Sequence, residues 1–168
     1  MGDRNMPNWC EGVIKIRGTK SNILKYLNEI LEVPVSSYRL EKGLIKFDDI
    51  DEEGYSFEIE GRDVFYLKGT KRAFINSKKI NFCLISPECD KGETHIVTIG
   101  NFKQAWAIFP EDYLELSKKY DVDLHIFSFE MGMEFTHEVE IHSGQLIKNR
   151  ALEYEDYTWE VPFSDLGG

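Results

Sequence analysis

The sequence predicts an α+β fold in which two helices pack on a mainly antiparallel sheet, with a β-rich insertion between the two halves. Three observations predict it. Two segments, one near the start and one in the second half, carry apolar residues at helical spacing. Most of the remaining chain alternates apolar and polar residues at strand period. The order is strand–helix, several strands, then helix–strand–strand, and two helices on one sheet is the simplest layering that buries each apolar stripe.

The elements follow in order. Gly12-Val13-Ile14-Lys15-Ile16-Arg17-Gly18 reads as a strand with Ile14 and Ile16 on one face. Thr19 or Ser21 then caps a helix whose stripe is Ile23, Leu24, Leu27, Ile30 and Leu31, and Pro34 stops it. Leu44, Ile45 and Phe47 suit a short strand before the acidic run 48–53. Tyr55, Phe57 and Ile59 alternate with polar residues, and Gly61-Arg62-Asp63 is expected to turn that strand into a hairpin with Val64–Leu67. Further strands are expected at Arg72–Asn76, Ile80–Ile85 and His95–Ile99, with Phe102–Ile108 continuing the last. Pro110 opens a second helix with Glu111 and Asp112 in its first turn and Lys118 and Lys119 near its end. Phe109, Tyr113, Leu116 and Tyr120 form its stripe, with Leu114 beside them. Val122–Phe129 and Phe135–Ile141 read as strands, Gly132 as a turn, and Ser143-Gly144 as a hairpin turn into Gln145–Ile147. The tail Tyr154–Val161 reads as a last strand or extended arm. The whole is a single domain, residues 1–168. A ferredoxin-like core is built from halves at about 6–35 and 102–150, around an inserted β region at about 36–100.

Composition bounds the function. At 168 residues with 42% hydrophobic side chains, the chain can bury a sizeable core, which excludes global disorder. The longest apolar runs are only a few residues, such as Cys83-Leu84-Ile85, so no membrane span is expected. Met1–Asn5 is polar and unlike a signal peptide, and Met6 can serve as the natural start with residues 1–5 as an upstream extension. Three cysteines, Cys10, Cys83 and Cys89, are an odd number that fits reduced thiols and a cytoplasmic location. A net charge of −10 disfavours non-specific nucleic-acid binding, whose affinity comes from lysine and arginine on phosphates. One local exception is the basic segment 68–79, with Lys68, Lys71, Arg72, Lys78 and Lys79. It reads first as a solvated hairpin face and second as a single-stranded nucleic-acid contact.

Two segments resemble a known family. Met6-Pro7-Asn8-Trp9-Cys10-Glu11-Gly12, running into Val13-Ile14-Lys15-Ile16 and Gly18-Thr19-Lys20, is similar to the N-terminus of the YubB ferredoxin-like family of phage, prophage and plasmid proteins. Ala105-Trp106, Leu116-Ser117-Lys118-Lys119-Tyr120 and Glu130-Met131-Gly132-Met133-Glu134-Phe135 resemble that family's closing half, where a tryptophan precedes the helix and a glycine-centred turn follows the strand. The likeness covers residues 6–35 and 102–141. The chain departs from the family in having Ile108-Phe109 before Pro110, where the family often has small residues and paired prolines, and residues 36–100 do not align. The resemblance implies a ferredoxin-like fold and a mobile-element origin in a bacterial host, and carries no reaction with it.

Few residue patterns point to chemistry. Cys10 is a candidate nucleophile, but Trp9-Cys10 just before a strand more commonly plugs a core end, which would make Trp9→Ala cost about 3–5 kcal/mol. His95, His125, His137 and His142 with Asp123, Glu134, Glu138 and Glu140 supply metal-ligating atoms without a metal motif, and His137 and His142, five apart, face opposite sides of a strand. No Walker A, dinucleotide-binding or nucleophile-elbow pattern occurs, and no metal or cofactor is expected. Tyr55, Phe57, Phe65 and Tyr66 suit a base-stacking sheet as well as a core, but the RNA-recognition signature is missing. The acidic runs, Asp48, Asp49, Asp51, Glu52, Glu53 and the segment Glu153–Asp156, suit either solvated loops or a mimic of a phosphate backbone. The leading expectation is a non-enzymatic phage or prophage accessory protein that binds another macromolecule, a host or anti-phage defence protein. Its candidate binding residues are those acidic side chains of 48–53 with Lys71, Arg72 and Trp106. The alternatives are a small-ligand binder or uncharacterised enzyme using a cleft beside residues 36–54, and a single-stranded nucleic-acid binder through 68–79.

Overall fold

The computed structural model describes residues 7–32, the backbone of 56–60, and residues 63–85 and 93–168. The expected strand at 44–47, the stop at Pro34, the acidic residues 48–53, Cys89 and the cleft beside 36–54 lie outside the described residues. In chain order the elements are β1 (Trp9–Thr19), α1 (Lys20–Ile30), β2 (Leu31–Glu32), β3 (Ser56–Glu60), β4 (Phe65–Leu67), β5 (Ala73–Ile75) and β6 (Lys79–Cys83). They continue with β7 (Thr94–Ala105), α2 (Glu111–Tyr120), β8 (Asp123–Glu130), β9 (Phe135–His142), β10 (Gln145–Glu153) and α3 (Tyr157–Glu160).

The protein is an α+β molecule with a large, antiparallel sheet. Among the described residues eight strands run in the order β10-β9-β8-β1-β7-β5-β4-β2, and β3 pairs with β6 in a separate two-stranded sheet. β1 is central, antiparallel to both β7 and β8, and the chain crosses from β7 through α2 to β8. Alternation along β1 decides what each face meets: Cys10, Ile14 and Ile16 are buried, while Lys15 and Arg17 are exposed. The buried residues join Val97, Ile99, Phe102, Leu124, Ile126, Val139 and Ile141 in one core. α1 covers that core with Ile23, Tyr26, Leu27 and Ile30, and α2 with Tyr113. Both helices therefore lie on one side, which we call the inner face.

Local chemistry explains the element ends. Thr19 Oγ1 accepts from the Asn22 amide at 3.2 Å and starts α1. α1 gives way at Leu31 to extended backbone, so it ends before Pro34. α2 ends where Asp121 turns left-handed at φ 49°. Its most deeply buried residues are Tyr113 and Ser117, while Leu114, Leu116 and Tyr120 pack at the margin. Ser117 is buried because its hydroxyl donates to the Val122 carbonyl at 2.6 Å and accepts from the Gly144 amide at 2.9 Å. Ser143 and Gly144, at φ 44° and 83°, form the primed hairpin turn expected between β9 and β10.

Four expectations are corrected. Residues 56–60 do not form a hairpin with 65–67: β3 pairs with β6 and β4 with β5 and β2, so the two strands belong to different sheets. β7 does run on from 95–99 through a bulge in which Gly100 and Asn101 stand opposite Val13, with Asn101 at φ 56°, but it ends at Ala105 and not at Ile108. The tail forms α3 rather than a strand. The Asp156 carboxylate caps it by accepting from the Trp159 amide at 3.3 Å, and the Glu160 carboxylate accepts from the Asp156 amide at 3.0 Å. Trp9 and Cys10 do not plug the core together. Adjacent strand residues point to opposite faces, so Cys10 is fully buried on the inner face and Trp9 stands on the outer one. The cost of about 3–5 kcal/mol for a fully buried tryptophan therefore does not apply to Trp9.

Candidate functional site

The outer face of the sheet, opposite α1 and α2, carries side chains outside the main core, with Phe127 and Phe129 packed in a second, smaller cluster with Tyr157, Val161 and Leu166. Register places Trp9, Glu11, Val13, Lys15 and Arg17 of β1 beside Ala105, Lys103 and Thr98 of β7 and Phe129, Phe127, His125 and Asp123 of β8. Phe74 of β5 stands opposite Lys103, and Tyr66 of β4 opposite Phe74.

At one end these residues form an aromatic platform around an arginine. The Arg72 guanidinium lies 5.4 Å from the ring centres of both Trp9 and Trp106. Phe74 meets Trp9 edge-on at 5.1 Å and Tyr66 at 6.4 Å. Tyr66 is 46% and Trp106 52% exposed, so the platform presents ring surface to solvent. Its two corner residues sit in left-handed backbone, Arg72 at φ 56° and Trp106 at φ 67°, which disfavours side chains of that bulk. Trp106 is held there because its amide donates to the Asn8 carbonyl at 2.8 Å and its carbonyl receives the Cys10 thiol at 3.6 Å. The Arg72 turn is fixed by Thr70, whose hydroxyl donates to the Leu67 carbonyl at 2.6 Å and accepts from the Ala73 amide at 3.2 Å.

Of the residues expected to bind, Arg72 and Trp106 are thus brought together. Lys71 points elsewhere: its ammonium pairs with Glu111 at 2.6 Å and lies 4.3 Å over Phe109, which raises its pKa through the Glu111 bond. Asp48, Asp49, Asp51, Glu52 and Glu53 lie outside the described residues. The basic segment is partly neutralised, since Lys68 faces Glu29 at 3.8 Å and Lys78 faces Asp63 at 3.5 Å. Phe65, weighed as a stacking residue, is fully buried on the inner face, whereas Tyr66 is exposed on the outer one. Sequence reading missed Trp9, Phe74 and their place beside Arg72; the parity of Trp9 with Lys15 and Arg17 was the available signal.

The other end of the outer face is an ion-pair lattice. Arg17 grips Asp123 at 2.6 and 2.8 Å, His125 meets Glu138 at 2.9 Å, His142 meets Glu140 at 2.7 Å, and Lys148 reaches Glu138 at 3.0 Å. The His125 hydrogen bond, then Lys148, holds the Glu138 carboxyl below the ordinary glutamate value, and the His142 bond does the same for Glu140. A carboxyl depressed on folding stabilises the fold above its unfolded pKa and loses that contribution as pH falls through the folded value. The urea midpoint should therefore drop between about pH 5 and pH 3, and drop less in a Glu138→Gln/Glu140→Gln double variant. Parallel curves for the two proteins would show that these pairs add nothing.

His137 lies on the inner face, where Nδ1 accepts from the Ile108 amide at 3.3 Å and Nε2 meets Asn149 Oδ1 at 2.7 Å, so it and His142 do face opposite ways. Among the described residues no group of three or more His, Cys, Asp or Glu side chains is arranged to hold a metal ion. Burial pushes the Cys10 thiol up to about 12, against a lowering hydrogen bond from Ser128, so Cys10 is no thiolate nucleophile near neutral pH.

Fold and site together define an α+β protein whose mainly antiparallel sheet is helix-covered on one face and bears an aromatic–arginine platform on the other. No described helix is long and apolar enough to cross a membrane. No family model matches the chain, and no curated protein and no solved structure matches it.

Proposed function

We propose that this chain is a non-enzymatic binding protein that docks another protein through the outer face of its sheet, with Trp9, Tyr66, Arg72, Phe74 and Trp106 as the anchor. The carrying observation is the packing of Arg72 between two tryptophans on partly exposed, conformationally strained corners. Tryptophan, tyrosine and arginine are the side chains that dominate protein–protein hot spots, and strained backbone collects at functional sites. The net charge of −10 favours a protein over a nucleic acid as the partner.

The resemblance of residues 6–35 and 102–141 to the YubB ferredoxin-like family supports a phage or prophage accessory role in the cytoplasm of a bacterial host. The partner class is then a host or anti-phage defence protein. The order β8-β1-β7, with α1 and α2 on one face, supports a ferredoxin-like core; β5, β4 and β2 extend it beside β7.

The test separates binding from stability. Trp106→Gly removes the ring and relieves a left-handed strain of about 1 kcal/mol or more, so Tm should hold or rise. Arg72→Ala should lower Tm only slightly. Both should release a protein that the unmodified chain retains from bacterial lysate. Identical captured proteins for all three, or none at several salt concentrations, would refute the proposal. Retardation of single-stranded RNA at about 50 mM salt, lost on Arg72→Ala, would favour nucleic acid instead.

A further inference from the structure

Between the platform and the ion-pair lattice, the outer face opens into a pocket of about 550 Å³. Its cause is the bulge in β7. Opposite Val13 the strand presents Gly100, where a side chain would meet nothing within 4 Å, so the row of side chains across the sheet has a gap. Val13, Phe127 and Phe129 line the gap from the sheet, and Phe163 and Leu166 line it from the C-terminal segment. That segment is tied across the face by the Gly167 amide to Glu11 at 3.2 Å and the Gly168 amide to the Trp9 carbonyl at 3.0 Å. A cavity of this size, mostly apolar and with a few polar groups, is typical of small-molecule sites.

The charges around it select the ligand. A second cavity of about 280 Å³ adjoins the first, and Lys15 and His125 line both. Register sets Lys15 between Thr98 and His125 in three neighbouring strands. Every other charged or titratable side chain close by has a partner: Lys103 with Glu11 at 3.0 Å, Arg17 with Asp123, His125 and Lys148 with Glu138, and His142 with Glu140. Of the charged side chains lining the two cavities, Lys15 alone has no carboxylate partner among the described residues, and it stands where the two cavities meet. One unmatched ammonium within an acidic protein accommodates one negative charge. A phosphate dianion would need a second cation, and the nearby Arg17, Lys103 and Lys148 are already held by Asp123, Glu11 and Glu138.

The geometry points to a binding site for an apolar monocarboxylate. Its hydrocarbon body lies against Val13, Phe127 and Phe129 in the space left by Gly100, and its carboxylate meets Lys15 beside Thr98. The site is separate from the Arg72 platform, so either can fail without the other.

The test uses the full chain with 8-anilinonaphthalene-1-sulfonate as the fluorescent probe, displaced by decanoate or by decanol. Saturable probe binding is expected, with decanoate displacing at least about fivefold better than decanol, the worth of one partly exposed ion pair. Lys15→Gln should erase that preference while decanol still displaces. Gly100→Leu, which fills open space, should abolish probe binding with Tm preserved. The proposal is overturned if binding does not saturate, if decanoate and decanol compete equally for the unmodified protein, or if folded Gly100→Leu binds the probe unchanged.

Discussion

Gly12→Ala should cost about 3 kcal/mol or more and lower Tm by roughly 6–12 °C or beyond, although it adds a single methyl group. Gly12 sits in the central strand β1, between Phe102 of β7 and Ser128 of β8. A methyl there would collide with the Phe127 carbonyl oxygen and come within 2.9 Å of Ser128 Cα and 3.0 Å of the Phe127 carbonyl carbon. All three are backbone atoms, so no rotamer change relieves the clash. β1 and β8 would have to part at the middle of a ladder that joins Glu11–Arg17 to Asp123–Phe129. Most domains are stable by about 5–15 kcal/mol, so the expected loss is a large share of the total. Gly100→Ala is the matched control, because a methyl there meets nothing within 4 Å. It should leave Tm unchanged or slightly raised, since alanine restricts the unfolded chain. Thermal melts of the two variants decide the matter. A Gly12→Ala protein melting within about 2 °C of the parent would mean that the two strands are not so closely apposed.

That contrast shows what was legible in the sequence. Both glycines fall in segments that read as strand or strand connection, and propensity treats them alike; only the neighbouring strand distinguishes them. Local periodicity was enough for α1, α2, β1, β8 and β9, because their apolar stripes face one core and a shift of one residue would expose them. It was also enough for the Ser143-Gly144 turn, where the backbone requirement is local. Strand pairing was not legible in the same way. Tyr55, Phe57 and Ile59 alternate identically whether their strand pairs with β4 or with β6, so the Gly61–Asp63 turn signal pointed to the wrong partner. The tail was misread because α3 is too short for a periodic stripe. Its signal lay in the Asp156 cap, the answering Glu160, and the pair Tyr157 and Val161, four apart and both buried.

The candidate site was half visible. Arg72 and Trp106 stood out as a cation in a basic segment and a tryptophan ahead of a helix. Their meeting depends on the order β1-β7-β5-β4, which brings positions 9, 66–74 and 106 onto one patch, and that order is a product of long-range pairing. Trp9 could have been placed from parity alone. A tryptophan in register with Lys15 and Arg17 belongs to their face, and the fully buried cysteine beside it belongs to the other.

Gln104→Ala is expected to be nearly as damaging, by about 3–4 kcal/mol, through lost polar contacts and a cavity. Gln104 is fully buried at the end of β7, an unusual place for an amide, and it is retained there by its bonds. Its carbonyl oxygen accepts from the Tyr113 hydroxyl at 2.9 Å and the Phe109 amide at 3.4 Å. Its amide donates to Asp112 at 3.0 Å and to the Lys71 carbonyl at 3.4 Å. Asp112 in turn accepts from the Lys71 amide at 2.7 Å. One side chain thus fastens β7 to the start of α2 and to the loop that presents Arg72. Burial raises the Tyr113 hydroxyl well above the ordinary tyrosine value, so it remains a donor and needs an acceptor. Gln104→Leu keeps the volume but strands that hydroxyl, and should cost about 2–3 kcal/mol. Adding Tyr113→Phe to Gln104→Leu should recover part of the loss, because the stranded group is then gone. A double-mutant cycle by urea denaturation measures this coupling, expected at about 0.5–3 kcal/mol. Additive costs would mean that the Gln104–Tyr113 bond contributes nothing. A Gln104→Leu protein as stable as the parent would mean that the polar hub does not hold the loop, and partner capture should then survive the substitution as well.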